Sequence, residues 1–214
     1  METHAGRGLY DLQSAEAVKT GEAASGWLAV ADTPEKLPPQ LVEIVRGLNG
    51  GAMGPLYPGS PLVAARMLRP QDRLHLMELH PQEHAALCET FKGDERVTVE
   101  KKDGYEGVLE LCPPAPGNGM ALIDPSYEIK EEYLGAAAFI DRLRNRWPEA
   151  VIMLWYPLLP AGRHAEMLAQ LKTYHREALY NEYQWAEPGV ETGMYGSGAA
   201  LFNFSGAIQG FSEI

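Results

Sequence analysis

From Arg73 onward the chain alternates between short apolar runs and longer amphipathic ones, and this rhythm limits the available folds more than any other feature. "RLHLMEL" (73–79) reads as a strand, followed at Pro81 by the helix "QEHAALCETFK". "RVTVEKKDG" (96–104) reads as a strand leading to the helix "YEGVLEL". "MALID" (120–124) leads in the same way to "EEYLGAAAFIDRLRNRW", and "EAVIMLWYPL" (149–158) to "HAEMLAQLKTYHREAL". Two last segments, near 182–187 and 194–204, read as a hairpin. Strands alternating with helices predict an α/β fold, a mostly parallel sheet with helices on both faces. Such sheets bind ligands beyond the carboxyl ends of their strands. The residues that carry chemistry are therefore expected at strand exits.

Upstream of this rhythm the pattern is less regular. Residues 1–10, "METHAGRGLY", are Gly-rich, and residues 11–54 are rich in Ala, Gly, Glu and Pro. One helix stands out there, "PPQLVEIVRGL", with Leu41, Ile44, Val45 and Leu48 at helical spacing. Gly50, Gly51 and Gly54 then break the chain. "PGSP" opens a second helix, with Ser60 expected as its N-cap and Pro61 at its first position.

A length of 214 residues suits one domain carrying an insertion. The formal charge of −11 means that any nucleic-acid contact must come from a local basic patch. "RLRNRW", with Arg142, Arg144 and Arg146, offers such a patch, but a solvated helix end is the preferred reading, and likewise for Arg163, Lys172 and Arg176. Two cysteines, Cys88 and Cys112, make neither a disulfide scaffold nor a four-sulfur zinc site, and they suit reduced thiols in a cytoplasmic protein. No apolar run reaches membrane-spanning length, and residues 1–12 lack the apolar core of a secretory signal. His80 and His84 are four apart, but Pro81 sits between them and no third ligand is near, so no metal site is expected.

Four strand-exit positions concentrate chemistry. The Gly-rich loop holds Glu2, Thr3, His4, Gly6 and Gly8. The later strands end at Glu78, at Asp103-Gly104 and at Asp124, at intervals of 25 and 21 residues. Acids recurring once per strand-plus-helix fall side by side along one sheet edge. Such an edge suits a nucleoside: glycines let the backbone approach, one acid accepts from both ribose hydroxyls, and an acid-glycine pair meets an adenine amino group. Each acid taken singly is equally well explained as the cap of the following helix.

Asp124-Pro125-Ser126-Tyr127 is the sharpest of these features. An exocyclic amino nitrogen is a poor nucleophile because its lone pair is delocalised into the ring. A carboxylate accepting one N–H and a backbone carbonyl accepting the other draw that lone pair out and aim it. A flipped-out base also needs an aromatic face to stack on. Asp124, the Pro125 carbonyl and Tyr127 have this chemistry. An Asp-Pro turn with a partly buried tyrosine uses the same four residues, and the tetrapeptide alone does not separate the two.

The segments "ETHAGRGLYDL", "YPGSPLVAARML", "LMELHP", "VEKKDGYEGV" and "LIDPSYEIKEEY", in this order, closely resemble the ribosomal RNA large subunit methyltransferase J family. The resemblance runs from about residue 2 to about residue 201. It implies a Rossmann-like class I methyltransferase fold using S-adenosylmethionine. It also implies methyl transfer to the N6 of an adenine in 23S rRNA, with no metal and no membrane. The family has also been described through catabolism of external DNA. The resemblance implies that residues 1–12 and 58–214 form the methyltransferase domain and residues 13–57 a helical insertion. It implies cofactor contacts at His4, Gly6, Ser60, Glu78, Asp103, Gly104 and Asp124. It gives Asp124 and Pro125 the catalytic acceptors and Tyr127 the base stack. The rival readings are a DNA adenine methyltransferase and a non-catalytic nucleic-acid-binding protein.

Three departures from the family pattern bear on these expectations. Ser126 stands where the common motif has a second proline, which makes a less rigid turn. The chain begins inside the first motif, so its first strand is expected to be largely missing and its activity weak. The tail "FNFSGAIQGFSEI" departs from the expected Asn-Pro-Pro continuation.

Overall fold

A computed structural model describes residues 1–14, 27, 31–115, 117–189 and 193–204. Parts of the expected insertion (15–26 and 28–30) and the tail from 205 onward lie outside the described residues. The chain divides into two compact units, one of residues 5–101 and one of residues 1–4 with 102–214.

In the first unit, β1 (Leu9–Asp11) pairs antiparallel with β2 (Leu56–Pro58). Between them lies α1 (Pro39–Leu48), whose Val45 is fully buried, as the helical spacing requires. Asn49 ends this helix and fastens it to β2. Its side-chain amide donates to the Val45 and Leu56 carbonyls at 2.9 Å, and its oxygen accepts from the Leu56 amide at 3.0 Å. Helix α2 (Ser60–Met67) starts one residue earlier than its sequence suggested. Gly59, not Ser60, is the N-cap, because its extended backbone (φ −71°, ψ 170°) precedes the first helical residue. Strand β3 (Leu74–Met77), helix α3 (Pro81–Thr90) and strand β4 (Val97–Glu100) follow. β3 and β4 pair in parallel from Leu74 against Val97 to Met77 against Glu100, across the α3 crossover. Leu62, Ala65, Leu74, Leu76, Leu87 and Phe91 form the core that holds these layers.

The second unit begins its helices with α4 (Gly104–Leu111), followed by β5 (Met120–Ile123) and the long α5 (Lys130–Arg146). β6 (Val151–Leu158), α6 (His164–Tyr174), β7 (Leu179–Gln184) and β8 (Gly196–Phe202) complete it. The sheet order is β5-β6-β8-β7. β5 and β6 are parallel, whereas β8 runs antiparallel to both β6 and β7. The closing hairpin expected from the sequence is present, with its first strand starting at Leu179. Residues 1–3 lie along β5: Glu2 forms a parallel bridge with Leu122, and the Thr3 amide donates to the Leu122 carbonyl at 3.1 Å. α5 buries Ala136, Ala137, Phe139, Ile140 and Leu143, the spacing of a helix lying on a sheet. Among the described residues no helix is long and apolar enough to cross a membrane.

Candidate active site

In the first unit the strand-exit acid is Glu78, nine-tenths buried just past β3. Its carboxylate is held at both ends by backbone amides. Oε2 accepts from Gly6 at 2.8 Å and Oε1 from His80 at 2.7 Å. The same residue therefore joins the Gly-rich loop to the start of α3. Gly6 has φ +60°, and a side chain there would run into the Tyr10 hydroxyl, so the turn that offers its amide to Glu78 requires glycine. The loop is anchored further by Arg7, whose guanidinium makes a two-pronged contact with Glu83 at 2.9 and 2.6 Å. That contact holds the Glu83 carboxyl below its ordinary range. Gly8 closes the loop by accepting from the Gly59 amide at 2.8 Å, which places the N-terminus of α2, and Ser60 with it, beside the Gly-rich turn. Gly6, Glu78 and Ser60 are thus brought together in this unit.

In the second unit, Asp103 is the N-cap of α4, and its Oδ1 accepts from the Tyr105 and Glu106 amides at 3.0 Å. The capping role that its sequence allowed is therefore real, and it leaves Oδ2 for another donor. Gly104 lies against the backbone of Thr3, and a Cβ there would sit 1.8 Å from the Thr3 carbonyl oxygen. His4 shares a 2.8 Å hydrogen bond with the Thr3 hydroxyl and meets the Tyr105 ring edge-on at 5.3 Å. Tyr105 in turn stacks on Phe139 of α5 at 4.4 Å. Its hydroxyl is buried with no hydrogen-bond partner among the described residues, and burial raises its pKa. Sequence reasoning passed over Tyr105. Its position directly after Asp103-Gly104 was the only available signal.

Asp124 follows β5 directly, as expected. Among the described residues its carboxyl has no hydrogen-bond partner, and burial pushes its pKa up from 3.8 to about 7. Pro125 is buried and Ser126 exposed. Tyr127 is only 3% exposed and has φ +57°, a conformation that a bulky L-residue adopts only under constraint. Its hydroxyl donates to the Trp155 carbonyl at 2.6 Å, and its ring packs on Tyr133 at 4.6 Å. The stacking surface imagined from the sequence is thus covered in this structure. Trp155 supplies that acceptor from β6, while Tyr156 beside it is fully buried and donates to Glu182 at 3.1 Å. The arginines near the end of α5 serve packing. Arg144 pairs with Glu177 at 2.6 Å, and Arg146 donates to the Cys112 carbonyl at 2.9 Å.

A half-buried carboxyl at the exit of a parallel strand, without a partner among the described residues and close in sequence to a strained aromatic, is chemistry in search of a donor. A family model described as "Ribosomal RNA large subunit methyltransferase D, RlmJ" matches residues 1–209. The chain belongs to this family. It is 35% identical over 207 residues to the protein named "Ribosomal RNA large subunit methyltransferase J" of Escherichia coli (strain K12), a match covering 95% of this chain and 74% of that relative. The protein of the same name from Haemophilus influenzae is also 35% identical, over 209 residues and with the same coverage. A crystal structure of a protein from Legionella pneumophila superposes with TM-score 0.82 at 31% identity, covering 94% of this chain and 75% of that one. The chain is a methyltransferase by family, and its mixed α/β fold, with strands alternating with helices, is the one the sequence predicted.

Proposed function

We propose that this methyltransferase transfers a methyl group from S-adenosylmethionine to the N6 of an adenine in 23S rRNA. The observation that carries this reading is the Asp124 carboxyl, half-buried at the exit of β5 and without a hydrogen-bond partner among the described residues. Both relatives are named as large-subunit rRNA methyltransferases, which supports rRNA as the substrate class.

Residues of each unit, taken by itself, have chemistry that suits this cofactor. Glu78 retains a lone pair on each oxygen after accepting from Gly6 and His80, so it can also accept from ribose hydroxyls. Asp103 retains Oδ2 for a base amino group, and Gly104 follows it directly, with its Cβ side taken up by the Thr3 backbone. His4, Gly6 and Ser60 complete the proposed cofactor contacts. When bound, S-adenosylmethionine supplies an electrophilic methyl group on a sulfonium.

The protein's own work is to prepare the acceptor. The Asp124 carboxylate takes one N–H of the adenine amino group and the Pro125 carbonyl takes the other. Together they hold the nitrogen lone pair out of conjugation and point it along the line of displacement. After transfer the nitrogen carries a positive charge and gives up a proton readily. A carboxylate whose pKa sits at about 7 is matched to receive it. Stacking of the adenine on Tyr127 requires its ring to be uncovered when substrate binds. We also read residues 13–57 as an insertion within the methyltransferase domain. The two unpaired thiols, Cys88 and Cys112, suit a cytoplasmic site of action.

The deciding experiment measures labelled methyl transfer to naked 23S rRNA and, separately, to duplex DNA. Transfer to the rRNA that Asp124→Ala abolishes is the expected result. Equal turnover by the parent and Asp124→Ala would overturn the catalytic assignment, and preferential transfer to the duplex would overturn the substrate.

A further inference from the structure

The strained backbone at Tyr127 must be held by its surroundings, and three contacts hold it. The Tyr127 hydroxyl donates to the Trp155 carbonyl at 2.6 Å. The Tyr127 ring packs on Tyr133 in α5 at 4.6 Å. The residue before it, Ser126, donates from its hydroxyl to the Glu132 carboxylate, with distances of 3.0 and 3.2 Å to the two oxygens. Glu132 also faces the Ile129 amide at 3.5 Å, so the same carboxylate grips both the turn and the start of α5. Glu132 and Tyr133 are adjacent, and together they clamp Ser126 and Tyr127 to one helix end.

Ser126 is exposed, so water could satisfy its hydroxyl. Its bond to Glu132 is therefore not required to pair a buried polar group. What the bond restricts is the orientation of the Ser126 backbone. The peptide unit joining Pro125 to Ser126 carries the Pro125 carbonyl, so holding Ser126 holds the direction of that oxygen.

We propose that Ser126 and Glu132 form a positioning pair that aims the Pro125 carbonyl at the amino group undergoing methylation. The pair acts through the backbone and does not touch the reacting atoms. This inference rests on the assignment of Asp124 and the Pro125 carbonyl to methyl transfer.

The test is a double-mutant cycle on methyl transfer to 23S rRNA. Ser126→Ala, Glu132→Ala and the double variant are compared with the parent, and Ser126→Thr serves as the conservative replacement. Each single alanine variant is expected to lower kcat about tenfold, the scale of a small misalignment, with KM for S-adenosylmethionine unchanged. The double variant is expected to be no worse than Glu132→Ala alone, because the Ser126–Glu132 contact is already absent there. Ser126→Thr is expected to keep parental kcat. Losses that multiply in the double variant would overturn the pairing, since Ser126 and Glu132 would then act separately. An unchanged kcat in Ser126→Ala would also overturn it, and this arm stands even if Glu132→Ala does not fold. Asp124→Ala, assayed alongside, separates the two failures. If it is inactive while Ser126→Ala is unaffected, only the positioning pair is lost. If it turns over like the parent, the functional reading itself falls.

Discussion

The hydroxyl of Tyr127 reaches across to β6 and donates a 2.6 Å hydrogen bond to the backbone carbonyl of Trp155. This bond ties the turn after β5 to the neighbouring parallel strand, and it does so at a residue whose backbone is left-handed (φ +57°). The strain at Tyr127 and the tether are therefore two sides of one arrangement.

Removing only the tether tests its worth. Tyr127→Phe keeps the buried ring and loses the hydrogen bond, so a stability loss of about 1 kcal/mol is expected. Tyr127→Ala also empties a site that is 3% exposed, and a loss of about 3–5 kcal/mol is expected. Urea denaturation of both variants checks the order. Equal losses would mean that the ring contributes nothing by its packing.

Asp124 makes stability depend on pH. Burial lifts its pKa from 3.8 to about 7, so between those values the folded chain holds a proton that the unfolded chain has released. The contribution of this group is present in full at low pH and is lost as pH rises toward 7. Asp124→Asn removes that loss, so its stability relative to the parent is expected to improve from pH 4 to pH 7 and then level off. Denaturation across this range is the measurement. A difference that does not change with pH would show that the carboxyl is not desolvated.

Catalysis should have the opposite slope. The acceptor must be ionised to draw on the adenine amino group, so kcat is expected to rise with pH and flatten above about 7. A kcat that falls over this range would contradict the role assigned to Asp124.

Glu78 and Asp124 should separate binding from chemistry. Glu78→Ala strips the acceptor from the Gly6 and His80 amides and removes the proposed ribose partner. Calorimetric titration with S-adenosylhomocysteine should show affinity reduced at least about tenfold in this variant. Asp124→Ala should retain most of the affinity while losing methyl transfer. Parental affinity in Glu78→Ala would remove Glu78 from the cofactor site.

Gly104→Ala addresses the backbone contact inside the second unit. The added Cβ would meet the Thr3 carbonyl oxygen at 1.8 Å, a backbone atom that cannot swing away. A loss of about 2 kcal/mol or more is expected in thermal or urea unfolding. A variant as stable as the parent would mean that residues 1–4 do not pack as described.

The sequence by itself determined the alternation of strands and helices, because hydrophobic period is a local property that each segment carries alone. For the same reason it placed Glu78, Asp103 and Asp124 at strand exits, and it carried the motifs of the methyltransferase family. It misjudged the cap of α2 by one residue, since Gly59 and Ser60 are both acceptable N-caps and only backbone angles separate them. Other features arose only in the tertiary structure. The sequence left Tyr127 open to two readings, a stacking face or a partly buried turn residue; it is covered, because Tyr133 and Trp155 reach it from α5 and β6. The raised pKa of Asp124 depends on what excludes water around it, which no local pattern encodes. The bond between Ser126 and Glu132 depends on how the turn meets the end of α5. Burial, desolvation and hydrogen bonds of this kind are properties of packed neighbours, and packing exists only once the chain has folded.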